Sequence, residues 1–91
     1  MEKNKEKLQE LKAYLQRSNV YDQSHWKYCA VPLGIMHFGK ISFAKVDNMR
    51  WQQQFKRFGT IFGVTEEEVD RLYTSLTTKK AFKVIDSWIN S

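Results

Sequence analysis

The fold of this chain is decided by Phe55-Lys-Arg-Phe-Gly-Thr-Ile-Phe-Gly-Val-Thr-Glu-Glu-Glu-Val-Asp-Arg-Leu72. Apolar residues at helical spacing precede Gly63 and follow it, which fits two short helices joined by a tight turn. Gly63 is expected to close the first helix, because glycine readily adopts the positive φ of a helix C-terminus. Gly59 lies four residues earlier, and we expect the two helices to approach most closely there, since a larger side chain would separate them. The sequence therefore predicts a helical hairpin.

The second helix of the hairpin carries its own start signal. Thr65 is a good N-cap, and Glu68 three residues later completes a capping box. Val64 and Val69 flank the cap at the spacing of a hydrophobic staple. Glutamates fill the first turn, where the helix dipole favours negative charge. Local propensity, capping and charge all predict a helix that begins just after Thr65.

Residues 55–72 resemble the helix-turn-helix superfamily of DNA-binding proteins, without matching a narrower family. In that superfamily the second helix lies in the major groove, with its N-terminal half over the bases. The resemblance implies the following base-facing positions: Thr65, Glu66, Glu67, Asp70 and Arg71. Residues 65–76, however, carry four carboxylates against one arginine, a net charge of −3. Carboxylates repel the phosphates that supply most of the affinity for DNA, so the hairpin and its use on DNA are separate predictions.

Composition indicates a globular protein. The 91 residues predict a single domain spanning 1–91, and hydrophobic residues make up 42% of them. No apolar run approaches the ~18 residues of a membrane span, and the charged first residues do not resemble a secretory signal. Cys29 is the sole cysteine, which fits a reducing compartment. These features favour a cytoplasmic protein without a membrane partner.

The period of the apolar residues predicts a mainly α fold. Residues 2–17 read as an amphipathic helix, and residues 44–90 as a three-helix, helix-turn-helix-like unit. The predicted buried stripe of the first helix is Leu8, Leu11 and Leu15. The predicted stripes of the later helices are Trp51, Phe55, Phe58 and Phe62, then Phe82, Ile85, Trp88 and Ile89. The first stripe could pack on the domain or form a homodimer.

Residues 20–46 are predicted to be an irregular or short-strand insertion. Apolar and polar residues alternate there, and Pro32, Gly34 and Gly39 oppose a long helix. A short β-hairpin around residues 26–46 is therefore expected, although short apolar runs also fit a helix. Trp26 is expected in the core, because an indole ring removes a large apolar area from water.

Enzyme and cofactor sites are not expected. Gly34 to Lys40 has the glycine and lysine spacing of a phosphate-binding loop, but Ile41 stands where a hydroxyl must hold magnesium. Asp22, His25, Cys29 and His37 are too scattered for a zinc site built from closely spaced pairs. A lone cysteine usually packs as a small hydrophobe rather than acting as a nucleophile. We therefore expect no catalytic residue, no metal and no cofactor.

The net charge of +5 fits both lysines that keep a small domain soluble and a basic face for an acidic partner such as nucleic acid or protein. The leading hypothesis is a small non-enzymatic regulator that binds DNA, with Thr65 and Arg71 nearest the bases. The predicted phosphate contacts are Arg50, Lys56, Arg57, Arg71, Lys79, Lys80 and Lys83.

The alternative hypothesis is a protein-binding adaptor or inhibitor, of the kind that phages and other mobile elements carry. It would bind a host protein through the acidic second helix and nearby aromatic rings. Its predicted contacts are Glu66, Glu67, Asp70 and Trp26.

Overall fold

The computed structural model describes residues 2–91, and within this range the chain is mainly helical. Its six helices are α1 (Lys5–Arg17), α2 (Ala30–Gly39), α3 (Phe43–Asp47), α4 (Trp51–Phe62), α5 (Glu66–Tyr73) and α6 (Thr78–Ile89). None of the helices in residues 2–91 is long and apolar enough to cross a membrane.

Helix α2 lies at the centre of the molecule. Its residues 30–35 are all buried, and it packs against α3, α4 and α5. Helix α1 packs against α6 and α4, and α5 packs against α4 and α6. The buried side chains form one apolar core, of which Phe58 and Phe62 are the largest fully buried members.

The prediction of short strands and a β-hairpin around residues 26–46 is wrong, because α2 and α3 occupy this stretch. Pro32 does not interrupt α2, since it lies in the first turn, where a backbone N–H has no partner within the helix. Gly34 is inside α2, and a Cβ there would be 3.0 Å from the Phe58 ring. The glycine thus allows close packing of two helices rather than a turn. The same helix excludes a phosphate-binding loop at Gly34 to Lys40.

The predicted helical hairpin is present. Gly63 ends α4 with φ 72°, and its N–H donates to the Gly59 carbonyl at 2.8 Å. The Thr65 hydroxyl accepts from the Glu68 N–H at 3.1 Å, and the Glu68 carboxylate accepts from the Thr65 N–H at 2.9 Å. A Cβ on Gly59 would be 2.6 Å from the Val64 carbonyl oxygen. The close approach is therefore between α4 and the turn, not between the two helices as predicted.

The N-terminal segment is tied to the hairpin. The Asn4 N–H donates to the Phe62 carbonyl at 2.8 Å, and the Lys3 ammonium is 3.1 Å from the Glu68 carboxylate. The predicted stripe of α1 is buried as expected. Because its leucines face the core of their own chain, they do not offer the homodimer contact considered above.

The long helix predicted to start near residue 44 is divided. Residues 48–50 separate α3 from α4, and the Gln54 amide donates to the Val46 and Met49 carbonyls, each at 3.2 Å. This break places Trp51 in the first turn of α4, where it is exposed rather than part of the buried stripe. In α6, Phe82 and Ile89 are only partly buried.

Candidate nucleic-acid interface

A basic groove of about 690 Å³ runs along the outer face of α4, beside α3. Its lining residues are Ile41, Lys45, Met49, Gln53, Lys56, Arg57 and Thr60. Three of these side chains are cationic and none is acidic. We call this feature the basic groove.

The sequence of α4 explains why these side chains share a face. Gln53, Lys56, Arg57 and Thr60 recur at spacings of three and four residues, so they line one side of the helix. The opposite side carries the phenylalanines that fill the core. The Gln54 amide holds the end of α3 against α4, which adds Lys45 to the same groove.

The charge of the basic groove is not neutralised by neighbouring carboxylates. The ion pairs in residues 2–91 are Lys3–Glu68, Lys12–Asp86 and Lys27–Asp47, and none involves a residue of the groove. Guanidinium and ammonium groups donate strong hydrogen bonds to phosphate oxygens. The groove therefore has the donors and the charge to bind a polyanion.

The structure divides the predicted phosphate contacts into separate surfaces. Lys56 and Arg57 line the basic groove, whereas Lys79, Lys80 and Lys83 are exposed on α6. The Phe58 ring of α4 and the Trp88 ring of α6 meet across the core, with centroids 6.4 Å apart. None of the residues that line the groove belongs to α6.

Arg50 lies next to the groove, whereas Lys45 is part of its lining. Arg50 is the N-cap residue of α4, next to Met49 of the groove. Lys45 lines the groove but was not among the predicted contacts, although the helix predicted to start near residue 44 included it.

The outer face of α5 is acidic. Glu66, Glu67 and Asp70 are exposed and form no ion pair within the part of the chain that the structure describes. Glu68 differs. Burial would raise the pKa of its carboxyl, but the Thr65 backbone N–H and the Lys3 ammonium outweigh that effect and lower the pKa. The exposed Arg71 is the one cation of this helix.

Trp26 is exposed, not buried as predicted. Its side chain is 57% exposed, and the Lys27 ammonium lies 5.0 Å from the ring centroid. The Tyr28 ring stacks on Phe43 of α3 with centroids 5.6 Å apart. Lys27 also reaches Asp47 at the end of α3, at 3.9 Å. The loop is thus attached to α3, and the indole remains outside.

Gln23 anchors the same loop and was missed by sequence reasoning. Its amide nitrogen donates to the Leu72 carbonyl at 3.1 Å and the Ser75 carbonyl at 2.9 Å. Its amide oxygen accepts from the Tyr21 hydroxyl at 2.8 Å. A buried glutamine with these partners holds the loop rigidly, because each group would otherwise lack a hydrogen bond away from water. No pattern in the sequence distinguishes it from an exposed glutamine.

The titratable groups once considered for metal or nucleophile sites have structural roles. Cys29 is 2% exposed, and burial raises the pKa of its thiol to about 11, so the thiol is protonated at neutral pH. The His37 ring stacks on Tyr14 with centroids 4.1 Å apart, and the His25 ring packs against Tyr28. Over residues 2–91, no three histidine, cysteine or acidic side chains are grouped as metal ligands.

The raised pKa of Cys29 predicts a loss of stability in alkali. The ordinary pKa is 9.0 and the folded value is about 11, so above pH 9 the unfolded chain releases a proton that the folded chain keeps. The free energy of unfolding should therefore fall as the pH rises from about 9 to about 11, by at most ~1.4 kcal/mol per pH unit. Urea unfolding across this range measures the slope.

Cys29→Ala is the control for this titration, because it removes the thiol. The remaining fall should come from Tyr21, whose pKa burial raises to about 12, and from Tyr73, whose pKa burial also raises. An identical slope in Cys29→Ala would contradict the assignment to the thiol.

No family model, curated protein or solved structure matches this chain.

Proposed function

We propose that this protein is a small, non-enzymatic DNA-binding regulator that holds the phosphate backbone in the basic groove. The observation that carries the proposal is the presence of Lys45, Lys56 and Arg57 in one groove without a carboxylate. Polyanions are the ligands that such a surface attracts, and the net charge of +5 acts in the same direction at longer range.

The groove side chains supply complementary contacts to phosphate. The Arg57 guanidinium donates a bidentate pair of hydrogen bonds, and Lys45 and Lys56 add compact positive charges. Gln53 and Thr60 supply neutral donors beside them. Contacts of this kind position a nucleic acid without reading its sequence. In this proposal α5 does not lie against the DNA, because three exposed carboxylates would face the phosphates.

Double charge reversal tests the proposal. Lys56→Glu with Arg57→Glu should weaken binding at least tenfold, because two phosphate contacts become repulsive. Fluorescence anisotropy of labelled oligonucleotides, offered both as single strands and as duplexes, measures the affinity. The wild-type protein should lose affinity with salt at a log–log slope of about −2 to −3, as expected for about three neutralised phosphates.

The chain offers a control with the same change in net charge. Lys79→Glu with Lys80→Glu alters α6, which contributes no residue to the lining of the groove. It should weaken binding far less than the reversal in the groove. Equal losses from the two pairs would contradict the groove as the binding surface. No binding of either DNA form at low salt would contradict the proposed function itself.

Glu66, Glu67 and Asp70, which are exposed and form no ion pair within residues 2–91, favour a second candidate, an adaptor or inhibitor that binds a basic host protein through α5. The loop that carries the predicted Trp26 contact is anchored by Gln23 to the C-terminal end of α5. Glu67→Lys with Asp70→Lys separates the candidates. DNA binding should strengthen when carboxylates become lysines, whereas a host-protein complex that survives nuclease should be lost.

A further inference from the structure

The helical hairpin carries two surface patches of opposite charge. The basic groove beside α4 presents three cations, which are Lys45, Lys56 and Arg57. The outer face of α5 presents three exposed carboxylates, which are Glu66, Glu67 and Asp70. We call this second patch the acidic face. The two patches are therefore complementary in the sign and in the number of their charges.

The two patches do not neutralise each other within one molecule. None of the ion pairs in residues 2–91 joins a groove cation to a carboxylate of the acidic face. The inner side of α5 is held in the core by Val69 and Leu72, which are completely buried. Because this packing fixes the helix, the acidic face cannot turn over to cover the groove of its own chain. Only another molecule can bring carboxylates into the groove.

We infer that the basic groove of one copy binds the acidic face of α5 from a second copy. The contact joins unlike surfaces, with a helix of one molecule lying in a groove of the other. Complementary charges steer the two copies together and set the register in which they meet. The Arg57 guanidinium suits a bidentate pair of hydrogen bonds with a carboxylate.

The two surfaces also match in length. The lining residues on α4 run from Gln53 to Thr60, which is about 10 Å along the helix axis. The eight residues of α5, Glu66–Tyr73, span about 12 Å. The carboxylates occupy the N-terminal part of α5, and the one cation of this helix, Arg71, follows them in the last turn. An acidic turn of helix can therefore lie along the groove without bringing its arginine to the centre.

This self-association is expected to be weak and sensitive to salt. Ion pairs between exposed side chains are screened by water and counterions. Both copies also carry a net charge of +5, which opposes their approach. A contact between one short helix and one groove is of the size found in transient complexes. Pairing should therefore require about 0.1–1 mM protein at low salt and disappear near 0.5 M salt.

Pairing occupies the surface that the proposed function assigns to DNA. One groove cannot hold a helix and a phosphate backbone at the same time, so DNA and a second copy compete for it. This competition rests on the proposed function, whereas the pairing itself does not. The acidic face thus takes the place of phosphate and limits DNA binding when the protein is concentrated.

Charge reversal of each patch tests the pairing, measured by sedimentation equilibrium without nucleic acid. Lys56→Glu with Arg57→Glu should abolish self-association, and so should Glu67→Lys with Asp70→Lys, because each change places like charges across the contact. An equimolar mixture of the two double variants should associate again. The α5 variant keeps the native groove, and the groove variant keeps the native acidic face.

Each double variant has a control with the same change in net charge. Lys79→Glu with Lys80→Glu matches the groove variant and alters α6. Glu6→Lys with Glu10→Lys matches the α5 variant and alters exposed positions of α1. Both controls should still self-associate. Circular dichroism of every variant excludes a loss of folding.

Amide NMR of the wild-type protein locates the contact. As the concentration rises, the signals of residues 53–60 and 66–73 should shift together, and those of α6 should not. A duplex of about 20 base pairs should dissociate the pairs, since it occupies the same groove. Pairs that remain intact when the duplex binds would contradict the competition.

The possible results separate the pairing from the proposed function. The inference would be overturned by wild-type protein that stays monomeric at about 1 mM in low salt, by pairing that survives either double variant, or by a mixture that does not associate. Equal losses in the controls would overturn it as well. DNA binding is measured separately, by anisotropy at protein concentrations too low for pairing. Pairing without DNA binding would overturn the proposed function and leave the inference standing.

Discussion

Phe58→Ala is expected to lower the free energy of unfolding by about 3–5 kcal/mol. The ring is completely buried and packs against the Phe62 ring, with centroids 4.4 Å apart. It also lies against Gly34 of α2 and meets Trp88 of α6. Removing it leaves a cavity where three helices converge, and the rigid neighbours cannot all move in to fill it.

Urea unfolding monitored by circular dichroism measures this loss. Phe82→Ala is the control, because it deletes the same ring from a partly buried site at the edge of the core, and its cost should be less than half as large. Phe58→Leu retains most of the apolar volume and keeps the measurement possible if the alanine variant does not fold. Equal costs at positions 58 and 82 would contradict the placement of Phe58 at the centre.

Gly63→Ala is expected to cost about 2–4 kcal/mol, from left-handed backbone strain and a lost hydrogen bond. Residue 63 has φ 72°, and an added Cβ would overlap the Glu2 carbonyl oxygen. The Glu2 carbonyl is a backbone group and cannot rotate away like a side chain, so the whole N-terminal segment would have to move. That movement would break the bond from the Asn4 N–H to the Phe62 carbonyl, 2.8 Å long.

Amide hydrogen exchange tests this mechanism directly, since the Asn4 N–H should exchange faster in Gly63→Ala than in the wild type. Gly39→Ala is the matched control. A Cβ there would meet the Ile61 side chain at 3.4 Å, an ordinary contact, and alanine is the better helix former. Gly39→Ala should therefore be neutral or stabilising by up to ~1 kcal/mol. A comparable loss at both glycines would contradict the special role of residue 63.

These two positions also support the candidate site. Phe58 lies on the inner side of α4, whose outer side forms the basic groove, and Gly63 ends that helix. The two exposed lysines and the arginine of the groove contribute little to the core. Substituting them should therefore alter binding and change the stability only slightly. Binding and folding can therefore be measured separately in this protein.

Prediction from sequence succeeded where local signals agreed. Thr65 and Glu68 form a reciprocal cap between residues three apart, and Gly63 takes a backbone conformation that few other residues tolerate. The leucine stripe of α1 follows helical periodicity. Each of these features depends on neighbours within one or two turns, so the chain order alone specifies it.

Prediction failed for residues 20–46, where short apolar runs fit both a strand and a helix. The structure forms a helix there because α2 is buried against several neighbouring helices, and Gly34 serves close packing rather than a turn. Trp26 was assigned to the core on ring size and Trp51 on helical periodicity. Trp26 is exposed on a loop that Gln23 anchors to the distant Leu72 and Ser75 carbonyls, and Trp51 is exposed at the break between α3 and α4.

The residues of the candidate site were likewise predicted from sequence only in part. Lys56 and Arg57 were identified from charge, but Lys45 joined them only through the packing of α3 on α4. Lys79, Lys80 and Lys83 were grouped with them because charge in a sequence carries no direction, but none of these three lysines lines the groove. By itself the sequence determined the capped hairpin, the buried stripe of α1 and the excess of positive charge, since these depend on residue type and short spacing. Tertiary structure alone decided which cations share the groove, because that depends on how separate helices pack against one another.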